Sequence, residues 1–267
     1  MLNVDWKNCW WLAIVAAGLA GCVTTPLTSE PGAQAPISQQ ESGDDARKRA
    51  KAHTELGTLY LGNSKLDTAL SEARIALEAD ASYPLAYNLL GLVQMYLKEN
   101  AAAEEAFRRA LALAPTDAEI NNNYGWFVCQ TGKPAASISY FVTASKSTLY
   151  STPTKPLTNA GICLRDAKDY KGAEDFLNRA LIADPQNDDA RFLLAEVYYQ
   201  SGQLEKAQQR MAEVHKFTDP TPETAWLALR IERKLGNREA EGRFASVLKR
   251  NFPGSQQFQL MSQGKFE

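Results

Sequence analysis

The residues best equipped for chemistry in this chain are four cysteines, two histidines and a few adjacent carboxylates, and their spacing supports little of it. Cys9, Cys22, Cys129 and Cys163 form no Cys-x-x-Cys pair, and no Cys/His cluster gathers around His53 or His215, so the ligand pattern of a metal site is missing. Glu104-Glu105 and Asp188-Asp189 read as helix-start or solvated acids, which the helix dipole favours without any catalytic duty. No Walker loop, Gly-x-Ser-x-Gly elbow or His-Glu-x-x-His helix occurs in the 267 residues. A net charge of −2 leaves no basic footprint for nucleic acid, while a hydrophobic fraction of 45% can bury a core. The expectation is a binding protein that is not an enzyme and holds no metal, nucleic acid or small-molecule substrate.

Cys22 is the cysteine with a context of its own. The apolar run from Trp10 to Gly21 falls short of the roughly 20 residues a membrane-spanning helix needs and fits the apolar region of a secretory signal. It ends Leu19-Ala20-Gly21-Cys22, which resembles a bacterial lipobox. That resemblance implies a signal peptide over residues 1–21, removed to leave Cys22 acylated, with palmitate-type chains, on its thiol and its new amine. At about 0.8 kcal/mol per buried methylene, two or three chains anchor essentially permanently. Val23 follows the cysteine in place of the aspartate associated with inner-membrane retention, so the expected location is the outer membrane, periplasmic face. From there to Asp44 the chain is rich in Thr, Ser, Pro, Gln and Gly without apolar periodicity. Residues 22–44 are therefore expected to be a lipidated cysteine and a flexible tether with a reach of roughly 25 Å.

The remaining chain repeats. Gly57, Gly91, Gly125, Gly161 and Ala195 follow one another at intervals of 34, 34, 36 and 34. Twelve residues after each anchor comes Ala69, Ala103, Ser137, Ala173 or Ala207; sixteen after come Phe107, Phe141 and Leu177 in the second to fourth units. Small residues at fixed phase let paired helices approach, and large apolar ones fill the space between. A sixth unit is degenerate: Gly202 and Gly236 share a turn phase, Trp226, Leu227 and Leu235 supply an apolar face, and Leu229 stands at the anchor. This register resembles the tetratricopeptide repeat. It implies an all-α superhelical solenoid of about six tetratricopeptide (TPR) helix pairs over residues 45–254, with a C-terminal tail at 255–267.

In such arrays the first helix of each pair lines the concave face. The register places Asn88, Leu92, Met95, Tyr96, Asn122, Trp126, Gln130, Ile162, Arg165, Phe192, Glu196 and Tyr199 there, an apolar and aromatic groove with amide and charged rims. A groove of that kind suits an extended or helical protein segment. Some of these residues, Leu92, Met95 and Ile162 first, are candidates for inter-repeat packing instead.

The third unit narrows the family. Asn121-Asn122-Asn123-Tyr124-Gly125-Trp126-Phe127-Val128-Cys129, then Tyr140-Phe141, Ala144 and Thr148-Leu149-Tyr150, depart from a generic repeat. The chain resembles the type IV pilus biogenesis and stability lipoproteins of the PilF/PilW type, from the lipobox through all six units and most specifically over residues 121–164. The resemblance implies a pilotin, an assembly factor that binds the type IV pilus secretin, brings it to the outer membrane and promotes its multimerisation. A different class stays open, a TPR scaffold lipoprotein regulating peptidoglycan synthesis or outer-membrane barrel assembly. Cys129 and Cys163 lie late in the first helices of neighbouring units, in a compartment expected to be oxidising. They are open to two readings, a disulfide tying the third unit to the fourth or two buried thiols acting as small apolar residues.

Overall fold

The computed structural model describes Ile37, residues 43–147, Tyr150 and residues 152–266. The signal peptide, Cys22 and nearly all of the expected tether lie outside the described residues. Those residues form thirteen helices, numbered in chain order, and no strand. Six antiparallel pairs follow one another: α1 (Asp45–Gly62) with α2 (Leu66–Ala79), α3 (Pro84–Tyr96) with α4 (Asn100–Leu113), and α5 (Ala118–Gln130) with α6 (Pro134–Ser145). The next three pairs are α7 (Lys155–Asp166) with α8 (Tyr170–Ala183), α9 (Asp188–Gln200) with α10 (Leu204–Phe217), and α11 (Pro222–Leu235) with α12 (Arg238–Asn251). In the stretch expected as a tail, α13 (Gln256–Ser262) packs on α11 and α12.

The first helix of each pair starts and stops for a local reason. Asp44, Asp117 and Asn187 accept a backbone N–H three residues on, and Thr221 forms a reciprocal capping box with Thr224. Prolines occupy the first turns of α3, α6, α7 and α11, where no N–H is missed. Between the two helices of every pair one residue is left-handed: Ser64 (φ 59°), Lys98 (66°), Gly132 (82°), Lys168 (63°), Gly202 (78°) and Gly236 (76°). The residue after it always donates to the carbonyl five back, as Lys65 does to Tyr60 and Asn237 to Glu232, both at 2.9 Å. This is one Schellman turn used six times.

The anchors work by close approach. A Cβ on Gly91 would lie 2.9 Å from three ring carbons of Phe107, one on Gly125 3.0 Å from the Phe141 ring, and one on Gly161 2.6 Å from Leu177. Thus the large residue sixteen positions on sits directly over the glycine, with the fully buried small residue at twelve beside it. In the first unit position sixteen is Ala73, and Leu89 of α3 takes its place 2.5 Å from a Cβ on Gly57. The sixth unit inverts the pattern: Leu229 is large and Ala245, sixteen on, is small, and both belong to one apolar cluster. Volume is conserved while its source changes, which is why the degenerate unit still packs.

Two features lie outside the repeat pattern. Tyr150, after α6, is buried against Ala118 and Ala144, and burial raises its phenol pKa. Ile37, inside the stretch expected to be a tether, is bound to the solenoid. Its N–H donates to Asp117 Oδ2 at 2.9 Å, and its side chain packs on the cluster of Ala50, Tyr83, Leu85 and Ile120. Asp117 can do both jobs because its other oxygen caps α5 through Ile120 N–H.

Candidate partner-binding groove

The first helices of the first four units border an open cavity of about 670 Å3. Leu92, Met95 and Tyr96 of α3 and Trp126 of α5 supply its apolar wall, Thr58 and Leu61 of α1 close one end, and Lys155 and Asn159 of α7 the other. Leu92 and Met95 also pack on Phe107, Tyr124 and Phe127, so they serve core and surface together. Tyr96 is 55% exposed.

A row of amides runs across this wall. Asn159 Nδ2 donates to Asn122 Oδ1 (2.9 Å), Asn122 Nδ2 to Asn123 Oδ1 (3.2 Å), and Asn123 Nδ2 to Asn88 Oδ1 (3.3 Å). Three successive first helices are thereby tied together at the groove. Amides left with spare donors and acceptors are suited to a polypeptide backbone, which offers both. Asn123 and Asn159 were missing from the residues expected to line the groove, although they stand at one phase, two residues before Gly125 and Gly161. That shared offset was the signal available for them.

The other expected residues separate. Ile162 and Phe192 line a second hollow of about 570 Å3, which shares Lys155 and Asn159 with the first. Asn88 (2% exposed), Asn122 (1%) and Tyr199 (6%) are buried and present little surface of their own, because neighbouring first helices cover them, so Asn123 and Asn159 carry the exposed part of the amide row. Arg165 and Glu196 pair with each other across α7 and α9. Burial raises the Glu196 carboxyl pKa, opposed by the Arg165 guanidinium. Gln130, at the end of α5, is exposed and lines neither hollow. It follows Cys129, whose bond to Cys163 holds α5 and α7 at a Cα–Cα distance of 6.0 Å. Ser137 Oγ lies 3.3 Å from Cys163 Sγ. Whether two late-helix cysteines bond or stay as buried thiols depends on this local approach, which sequence spacing alone does not specify.

Neither histidine lines either hollow. His53 shares a 2.6 Å hydrogen bond with Glu72, and His215 sits beside Phe244 with Nε2 lacking a partner. Among the described residues no group of three or more His, Cys, Asp or Glu side chains could hold a metal, and no helix is long and apolar enough to cross a membrane.

Comparison with known proteins agrees with the geometry. The tetratricopeptide repeat pattern matches residues 54–118, 91–156 and 164–229. The crystal structure of PilW, a widely conserved type IV pilus biogenesis factor, is 32% identical; it superposes with a TM-score of 0.73 over 82% of this chain and 100% of that one. The chain belongs to the tetratricopeptide-repeat proteins of type IV pilus biogenesis. Within the family it is also 26% identical to the type IV pilus assembly protein PilF of Pseudomonas aeruginosa, over 92% of this chain and 94% of that protein. A PilF structure from that species shares the fold at 24% identity, with a TM-score of 0.69 over 83% of this chain and 100% of that one. These similarities support a role in type IV pilus biogenesis.

Proposed function

We propose that the protein is a pilotin: an outer-membrane lipoprotein, acylated at Cys22, that captures the type IV pilus secretin in its groove and promotes its localisation and multimerisation. The observation that carries this reading is the cavity of the first four units, where Leu92, Met95, Tyr96 and Trp126 stand beside a continuous amide row. Aromatic and aliphatic side chains desolvate a partner's apolar residues, and the amides satisfy its main chain. The mechanism is physical. A lipid anchor confines carrier and cargo to one bilayer, raising the effective concentration of secretin subunits without bond chemistry.

Deleting the gene should abolish secretin multimers and surface pili, and Trp126→Ala should reduce secretin recovery in a pull-down from solubilised outer membrane. Normal multimers after deletion would defeat the proposal, and recovery of cell-wall synthases without secretin would favour a scaffold. Cys22→Ser should release the protein from membranes; unchanged sedimentation would contradict the anchor.

A further inference from the structure

The concave face of the sixth unit already has an occupant. In the earlier units the positions three before, one after and four after the anchor belong to the groove side; around Leu229 they are Trp226, Arg230 and Arg233. Phe266 lies on all three. After α13, Gly264 adopts φ 71° and Lys265 N–H returns to the Leu260 carbonyl at 2.9 Å, which reverses the chain toward α11. The Phe266 ring stacks on Trp226 with centroids 5.6 Å apart, and the Arg233 guanidinium lies 4.0 Å from the Phe266 centroid. Arg230 Nε donates to the Phe266 carbonyl at 2.9 Å. A residue that merely fills a gap requires only apolar contact. Here one residue receives a ring stack, a cation over its face and a side-chain donor on its main chain, the combination by which peptide segments are recognised.

The surroundings add charge. Arg230 and Lys234 also lie over the Tyr199 ring, at 4.6 and 4.5 Å, so basic groups continue from the sixth unit toward the fifth. The chain's own sequence at this point is Lys265-Phe266-Glu267, an aromatic residue followed by an acid.

We propose that the concave face of the sixth unit is a second peptide-binding site, taking a segment that presents an aromatic side chain next to an acidic residue, and that Phe266 closes it until such a segment displaces it. A tethered occupant of one residue competes through its high effective concentration, and a longer segment overcomes it with additional contacts. This site stands apart from secretin capture, and its test needs neither a secretin nor a membrane.

The probe is a fluorescein-labelled peptide of residues 261–267 (Met-Ser-Gln-Gly-Lys-Phe-Glu), titrated by anisotropy into the full chain. Phe266→Ala should bind it saturably and at least about tenfold more tightly than the unsubstituted chain, because the internal competitor is gone. Adding Arg230→Gln to that variant, or replacing Phe by Ala in the probe, should weaken binding by roughly tenfold again. If Phe266→Ala loses helicity, Phe266→Leu keeps the apolar bulk while removing the ring, and the same gain is expected. Equal binding to both proteins, or no saturation of either variant up to millimolar peptide, would overturn the proposal and leave Phe266 as a permanent cap.

Discussion

One residue past the anchor, the second and third units place Leu92 and Trp126 against an open cavity, whereas the sixth places Arg230 beneath the chain's own Phe266. Three residues before it, the third unit has Asn122 in a row of amides and the sixth has Trp226 stacked on that same Phe266. The backbone frame of the pairs is shared, down to the left-handed turn residue, so the contrast comes from the side chains and from the segment after α13 that covers the sixth unit. A solenoid separates the two roles because each unit packs only on its neighbours. One region can leave its first helices uncovered while another closes over them.

The two tryptophans give the strongest way to break this contrast. Trp226 is 8% exposed and shares a cluster with Leu229 and Leu248, so Trp226→Ala should cost about 3–5 kcal/mol in chemical denaturation. Trp126 is only partly buried, and Trp126→Ala should cost about 1–2 kcal/mol. Equal losses would mean that the open wall is as much core as the closed one.

The Cys129–Cys163 bond lies within the open region, joining α5 to α7 across the one 36-residue interval. Replacing both cysteines by Ala should lower stability by about 2–4 kcal/mol. It should also let the first three units melt apart from the last three, seen as a broadened thermal transition. A single sharp transition at unchanged temperature would show that packing alone couples the halves.

The legible parts of this molecule were those with a steric reason for a particular residue at a fixed phase. Gly91 and Gly125 announce the pairing of helices because a ring must rest on them. The left-handed turn was visible at Gly202 and Gly236, yet Ser64, Lys98 and Lys168 occupy the same phase without any signal, since the Schellman bonds hold non-glycine residues there. Leu92 and Trp126 could be placed on the groove from register, whereas the amide row needed the orientation of Asn123 and Asn159. Phe266 had no period to betray it, because its place is set by the turn at Gly264 and by three side chains of α11. Ile37 was equally hidden: an isolated apolar residue in a Pro- and Gln-rich stretch finds its partner in Asp117, eighty positions away.

Those turns sharpen the comparison at smaller energy. Lys98→Gly, in the turn next to the open wall, should stabilise the protein by about 1 kcal/mol, because Lys98 holds φ 66° that glycine adopts without steric cost. The Gly236→Ala change, in the turn of the closed unit at φ 76°, should destabilise by a similar amount. Hydrogen exchange at the amides of α3 and α11 would show whether each effect stays within its own unit.

The two histidines offer the mildest test, by pH. His53 of α1 is hydrogen-bonded to Glu72, whereas His215 of α10 lies beside Phe244 with Nε2 unpartnered, in a hollow that also holds Glu205, Glu232 and Arg243. Burial lowers the His215 pKa from its ordinary 6.5. The unfolded chain therefore binds the proton more readily than the folded one in the interval just below that value. Stability contributed by neutral His215 is present above pH 6.5 and falls as the pH drops through that interval toward the lowered folded value. Melting temperatures between about pH 7.5 and 5.5 should decline in the unsubstituted chain and decline less in His215→Phe, which keeps the contact with Phe244. If both proteins lose stability in parallel, the pH response comes from elsewhere, and the closed end of the solenoid is no more sensitive to protons than the open one.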